Sequence, residues 1–127
     1  MLKDMAALAT IAVKDLGVAG KFYGETLGLK RLPGGEEEVL TFESGGSKIL
    51  VYRSQYAGTN QATAATWVIE DGLEEIVRDL GAKGVAFEHY DMPGMTREGD
   101  IHVAGNLRNA WLKDPDGNIL SLVSETK

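Results

Sequence analysis

Read as a pattern of apolar and polar positions, the chain divides into short β-type runs, two helical stretches and the turns between them. Ala7–Val13 is a β-type run followed by Lys14-Asp15, where Asp15 is placed to cap a helix starting near Leu16. Within Val18–Leu27, residues Val18, Phe22 and Leu27 fall near one helical face. Gly17, Gly20 and Gly24 weaken that helix or let it pack closely on a sheet, and Gly28 is its C-cap. Lys30–Leu32 is a brief strand ended by Pro33-Gly34-Gly35. Glu37–Glu43, a Gly45-Gly46 turn and Lys48–Arg53 predict a β-hairpin, with Glu36-Glu37-Glu38 as a charged turn and strand edge. Ser54–Thr63, polar and glycine-containing, is the best linker in the chain.

The same order then recurs. Ala65–Ile69 predicts a strand, and Asp71 a cap for a helix over Leu73–Leu80, whose Leu73, Ile76, Val77 and Leu80 share one face. Gly81 and Gly84 end it. Val85–Asp91 predicts a strand, and Met92–Asn106 a loop too long for a simple hairpin connection. Trp111–Val123 reads as strand, turn, strand around Asp114-Pro115-Asp116-Gly117-Asn118, where Pro115 fixes φ and Gly117 accepts a positive one. Aligning Val13-Lys14-Asp15 with Ile69-Glu70-Asp71, and Leu27-Gly28 with Leu80-Gly81, gives two copies of strand, helix and three strands. The expected architecture is α+β: two tandem βαβββ modules, 6–54 and 63–125, in one domain spanning 1–127, joined by the polar linker. Helices should pack outside curled antiparallel sheets.

Composition narrows the function classes. A net charge of −6 without a Lys/Arg cluster argues against nucleic acid or an anionic membrane as partner. The absence of cysteine removes disulfides, thiol catalysis and thiolate metal ligands. No apolar run approaches the roughly 20 residues of a membrane span, and the opening residues, broken by Asp4, do not read as a signal peptide. The expected address is the cytoplasm.

Two stretches carry a resemblance. Ile11-Ala12-Val13-Lys14-Asp15-Leu16 with Phe22-Tyr23 and Leu27-Gly28-Leu29 resembles the first strand and helix of the vicinal oxygen chelate superfamily. That group contains glyoxalase I, the bleomycin-resistance proteins and the extradiol dioxygenases, and Asp114–Asn118 with its flanking strands resembles its closing hairpin. The resemblance implies a half-open barrel with a small-molecule cavity, a homodimer, and in metal-dependent members four His, Gln or Glu ligands. Those ligand positions fall here on Leu8, Leu50, Ala64 and Ser121, none of which supplies a strong donor. The expectation is a member with no metal and no other cofactor, the alternative being a divalent metal held elsewhere.

If those four positions face the cavity, so do Thr10, Ala12, Tyr52, Thr66, Val68, Ile119 and Val123, a mostly apolar lining with a few hydroxyls. The candidate ligand-binding residues are Thr10, Leu50, Tyr52, Thr66, His89, Trp111 and Ser121. Tyr52 offers a ring and a hydroxyl; Trp111 shares a face with Asn109 that the pattern leaves unassigned, and reads either as a stacking platform at the rim or as plain packing. Trp67 should point the other way, into the core. His89 alternates with Phe87 and Asp91, and is the candidate acid/base together with Tyr52. His102 reads as a solvated loop histidine, and Arg97 as a solvated arginine. The leading functional reading is a metal-free protein binding a small apolar or aromatic molecule, as in sequestration by bleomycin-resistance proteins. The alternatives are a lyase, isomerase or dioxygenase-like enzyme using a divalent metal or His89 and Tyr52, and a closed interaction module.

Overall fold

The structure, a computed structural model, describes residues 1–34 and 37–125. Gly35 of the expected Pro33-Gly34-Gly35 turn and Glu36 of the acidic run lie outside the described residues. The first module runs β1 (Ala9–Val13), α1 (Leu16–Lys21), β2 (Lys30–Arg31), β3 (Val39–Ser44) and β4 (Ser47–Arg53). The second runs β5 (Thr63–Val68), α2 (Leu73–Ala82), β6 (Phe87–Glu88), β7 (Thr96–Glu98), β8 (Ile101–Ala104), β9 (Leu107–Lys113) and β10 (Ile119–Glu125).

Each module forms one sheet. The first is ordered β1-β4-β3-β2; in the second, β5-β10-β9-β8-β7, β6 also pairs with β9. The chain therefore has the expected α+β class and tandem strand-helix-strands arrangement, and the sheets remain open. Each sheet is mixed, because the first strand of a module pairs parallel with its last, β1 with β4 and β5 with β10. The helix between them supplies the crossover that a parallel pair needs.

Strand alternation sorts the core. Ile11, Val13, Leu40, Phe42, Ile49 and Val51 are buried on the helix side of the first sheet, and Ala65, Ala110, Leu112, Leu120 and Leu122 on that of the second. Leu73, Val77 and Leu80 of α2 join the same core, as their shared face requires. Asp15 caps α1 by accepting the Val18 N–H at 3.0 Å. The helix then widens into a π-turn over Phe22–Thr26, closed by Leu27 N–H to the Phe22 carbonyl at 2.9 Å. Cβ positions at Gly20 and Gly24 lie 3.5 and 3.6 Å from Leu40 and Phe42, so these glycines bring the helix down onto the sheet. The cap expected at Asp71 is not used: Gly72 occupies the cap position at φ +83°, without a side-chain bond.

The two stretches that carry the family resemblance meet in space. Asp114 is buried, and its carboxylate accepts the Tyr23 hydroxyl (2.7 Å), the Asn118 side-chain N–H (2.8 Å), and the backbone N–H groups of Asp116 (3.0 Å) and Asn118 (2.8 Å). The Asn118 amide also donates to the Ala12 carbonyl at 2.8 Å. A helix residue of module one and the β9–β10 turn of module two thus form one hydrogen-bonded joint. Burial, then the Asp114 carboxylate, push the Tyr23 hydroxyl far above its ordinary pKa, so it remains a donor.

Candidate functional site

The residues left on the far side of each sheet, away from the helices, define the candidate site. On the first sheet these are Thr10, Ala12, Leu50 and Tyr52; register sets Thr10 beside Leu50 and Ala12 beside Tyr52. On the second they include Thr66, Val68, Asn109, Trp111, Ile119, Ser121 and Val123, with Ser121 between Thr66 and Trp111. The expected candidates are therefore brought together as two groups on two sheets. Tyr52 is 37% exposed and Val68 76%, so both faces are open in the single chain. Ser121 is buried and its hydroxyl donates to Asn109 Oδ1 at 2.8 Å, so it already has a partner. Trp67 turns to the helix side, as expected, with its indole N–H on Ser44 Oγ.

The segment 92–106 is a loop only over residues 92–95. β7 and β8 form a hairpin across Gly99-Asp100, and β8 turns into β9 across Gly105-Asn106. Both glycines, at φ +63° and +59°, occupy the first position of a two-residue turn, as Gly45 (φ +59°) does between β3 and β4. The expectation of a solvated His102 is overturned with it. His102 lies in β8 opposite Asn109, on the site face, and is 1% exposed.

His102 Nε2 accepts the Tyr90 backbone N–H at 2.9 Å. That bond ties the Tyr90 backbone to β8, whose His102 already pairs with Asn109 of β9, and the strand expected over Val85–Asp91 is confined to Phe87–Glu88. The same bond places the neutral ring's proton on Nδ1, and Nδ1 has no hydrogen-bond partner. The buried Tyr90 hydroxyl is likewise unpaired. His102, Tyr90 and Trp111 form a triangle of rings, with centroids 4.8 Å apart for His102–Trp111, 5.2 Å for Tyr90–Trp111 and 6.1 Å for Tyr90–His102. Burial raises the Tyr90 pKa, the Glu88 carboxylate adds to the rise and Lys113 opposes it. Beside the triangle a recess of about 430 Å³ is lined by Tyr90, Trp111, Asp91, Met92, Ile119 and the 61–63 segment.

His89 lies just beyond β6, half-exposed, with Nε2 2.7 Å from Asp100 Oδ1. The expected alternation with Phe87 does not carry to it: Phe87 pairs with Leu112 and packs on the core, and the strand ends before His89. Tyr52 sits on the other sheet, and no hydrogen bond or ring contact joins it to His89 among the described residues. Arg97 is exposed on β7.

The four positions at which the family holds its metal do not fit one here. Leu8 and Leu50 are aliphatic, Ala64 falls at the irregularity in β5–β10 pairing, and Ser121 is bonded to Asn109. A divalent metal needs imidazole or carboxylate donors at such points. No group of three or more His, Asp or Glu with metal-binding geometry exists among the described residues.

Open sheets, outer helices and a recessed aromatic face define a class of fold, a two-module α+β arrangement of paired strand-helix-strands units. By comparison with solved structures, the chain shares this fold with glyoxalase-family proteins. It is similar to a glyoxalase/bleomycin resistance protein/dioxygenase from Alicyclobacillus acidocaldarius (TM-score 0.72, 16% identity, covering 98% of this chain and 93% of that one). It is also similar to a fosfomycin resistance protein from Listeria monocytogenes (TM-score 0.71, 17% identity, 95% and 93% covered). A third likeness is to lactoylglutathione lyase from Agrobacterium tumefaciens (TM-score 0.69, 17% identity, 96% and 95% covered). At these identities the likeness is one of fold. No protein-family model matches the chain, and no curated protein matches it. Among the described residues no helix is long and apolar enough to cross a membrane.

Proposed function

We propose that the chain binds a small aromatic or largely apolar molecule on the site face of its second sheet, holding it without covalent chemistry. One observation carries this reading: two buried donors without partners, Tyr90 Oη and His102 Nδ1, sit in a triangle of rings whose Tyr90 and Trp111 line the recess. An unpaired buried polar group costs about 1–3 kcal/mol, which a ligand acceptor recovers. Trp111 supplies the stacking surface and Met92 an adaptable apolar edge. Thr66 lies on the same face, while Thr10, Leu50 and Tyr52 offer the corresponding surface of the first sheet, which a second copy of the chain brings over the ligand in a homodimer.

The reading requires no metal. Elemental analysis of untagged protein, purified without chelator, should find far less than one divalent ion per chain; about one per chain would refute it, since a site of real affinity stays loaded. A thermal-shift screen of small aromatic compounds should yield a ligand whose affinity falls by about 1 kcal/mol or more on Trp111→Ala. An unchanged affinity removes Trp111 from the site. A lyase or isomerase reading rests on His89, which Asp100 orients as a carboxylate orients a catalytic base. It requires any activity found with a screened ligand to vanish in His89→Ala.

A further inference from the structure

We infer that the protein has a second ligand site on the opposite side of the sheets, in an apolar cleft between the two modules, suited to a small neutral aromatic molecule carrying one hydrogen-bond acceptor. The cleft measures about 250 Å³. Leu27 and Leu29, which follow the first helix, form one wall; Ile76 and Leu80 of α2 form the other, and Leu112 and Leu122 of the second sheet form the floor. Trp67 closes it towards the first module, where its Nε1–H donates to Ser44 Oγ at 2.9 Å across the module boundary.

Three features make this a binding site. The cleft is open on one side, so its leucine, isoleucine and tryptophan side chains face solvent, and an apolar ligand seated there takes that surface out of water. An engineered apolar cavity of about 150 Å³ in another protein stays dry and takes up benzene, so this one has room for a one- or two-ring molecule. The third feature is polar. Ser44 Oγ accepts from Trp67, and its hydroxyl proton has no acceptor among the described residues, which leaves a donor at the cleft wall. A phenol or carbonyl oxygen meets that donor, while a charged ligand would be desolvated among aliphatic side chains without a counter-ion.

The site is independent of the one proposed on the other face, and the two tryptophans of the chain, Trp67 and Trp111, report on the two separately. Trp111→Phe leaves Trp67 as the sole indole. Titrating that variant with 4-bromophenol, whose bromine quenches indole emission on contact, should give saturable quenching. Adding Ile76→Phe, which fills the cleft from α2, should weaken the saturable phase by about tenfold or more while the unfolding midpoint holds or rises. Should that variant not fold, Leu27→Phe fills the cleft from the opposite wall and serves in its place. Ser44→Ala should weaken 4-bromophenol severalfold and leave bromobenzene unchanged. Quenching that rises linearly with probe, or a saturable phase untouched by filling the cleft, would overturn the inference.

Discussion

Tyr23→Phe removes a single hydroxyl from the joint between the modules and nothing else. The ring stays, so the contacts of a wholly buried side chain with Phe22 and Phe42 are kept and no cavity opens. What is lost is one of four donors to the Asp114 carboxylate, a 2.7 Å bond between buried groups, while the three donors from Asp116 and Asn118 remain. A hydrogen bond to a charged group contributes about 1.5–3 kcal/mol, so a loss of about 2 kcal/mol is expected in urea unfolding at neutral pH. The alkaline limb supplies a second, independent reading. The folded-state pKa of Tyr23 is raised by burial and by Asp114 above the ordinary value near 10. The proton therefore stays on in the folded chain and leaves in the unfolded one. The contribution of Tyr23 is complete below pH about 10 and declines above it, by about 1.4 kcal/mol per pH unit. Tyr23→Phe should lack that part of the slope, so the two stability curves converge as pH rises. Equal stability at neutral pH, within about 0.5 kcal/mol, or parallel alkaline limbs would refute the argument.

The linker and the caps give further tests. A Cβ at Gly58 would collide with the Asp116 carbonyl oxygen, at φ +76°, so Gly58→Ala should cost more than about 2 kcal/mol, measured by thermal or urea unfolding. Asp15→Ala should cost about 1 kcal/mol through the lost bond to Val18. Asp71→Ala, at the matching position of the second module, should be neutral within about 0.5 kcal/mol, because Gly72 holds that cap without a side chain. Equal losses at the two aspartates would contradict the assignment of the caps.

What could be read in advance depended on how local its physics is. The Asp15 cap, the α2 stripe, the Gly45-Gly46 hairpin and the Asp114–Asn118 turn each rest on residues a few positions apart, and each appears in the structure. Asp71 misled because Gly72 intervenes at positive φ and takes the cap position. The β7–β8 hairpin was within reach, since Gly99-Asp100 and Gly105-Asn106 carry the same two-residue signal as Gly45-Gly46. Without those turns His102 reads as solvent-facing; with them it alternates onto the site face. The triangle itself is not local. Tyr90 and Trp111 meet His102 only because β8 and β9 are adjacent, and the unpaired Nδ1 follows from a bond to a backbone twelve residues away. Strand alternation did sort Thr10, Leu50, Tyr52, Thr66 and Ser121 onto the faces away from the helices; it left the face of Trp111 unassigned, which the register with Ser121 supplies, and it carries no information on how the two sheets are set relative to each other.

The joint also constrains the order in which the protein is made. Tyr23 and Asp114 are 91 residues apart, and β1 already has its parallel partner β4 within the first module. During synthesis the first sheet can therefore pair while β9 is still inside the ribosome, but the Tyr23 hydroxyl then has no carboxylate to meet. Closing of this joint must wait for the β9–β10 turn to emerge, whereas the Trp67–Ser44 bond across the modules involves only residues made earlier. A ribosome pausing between β8 and β10 would hold the nascent chain with this joint still open.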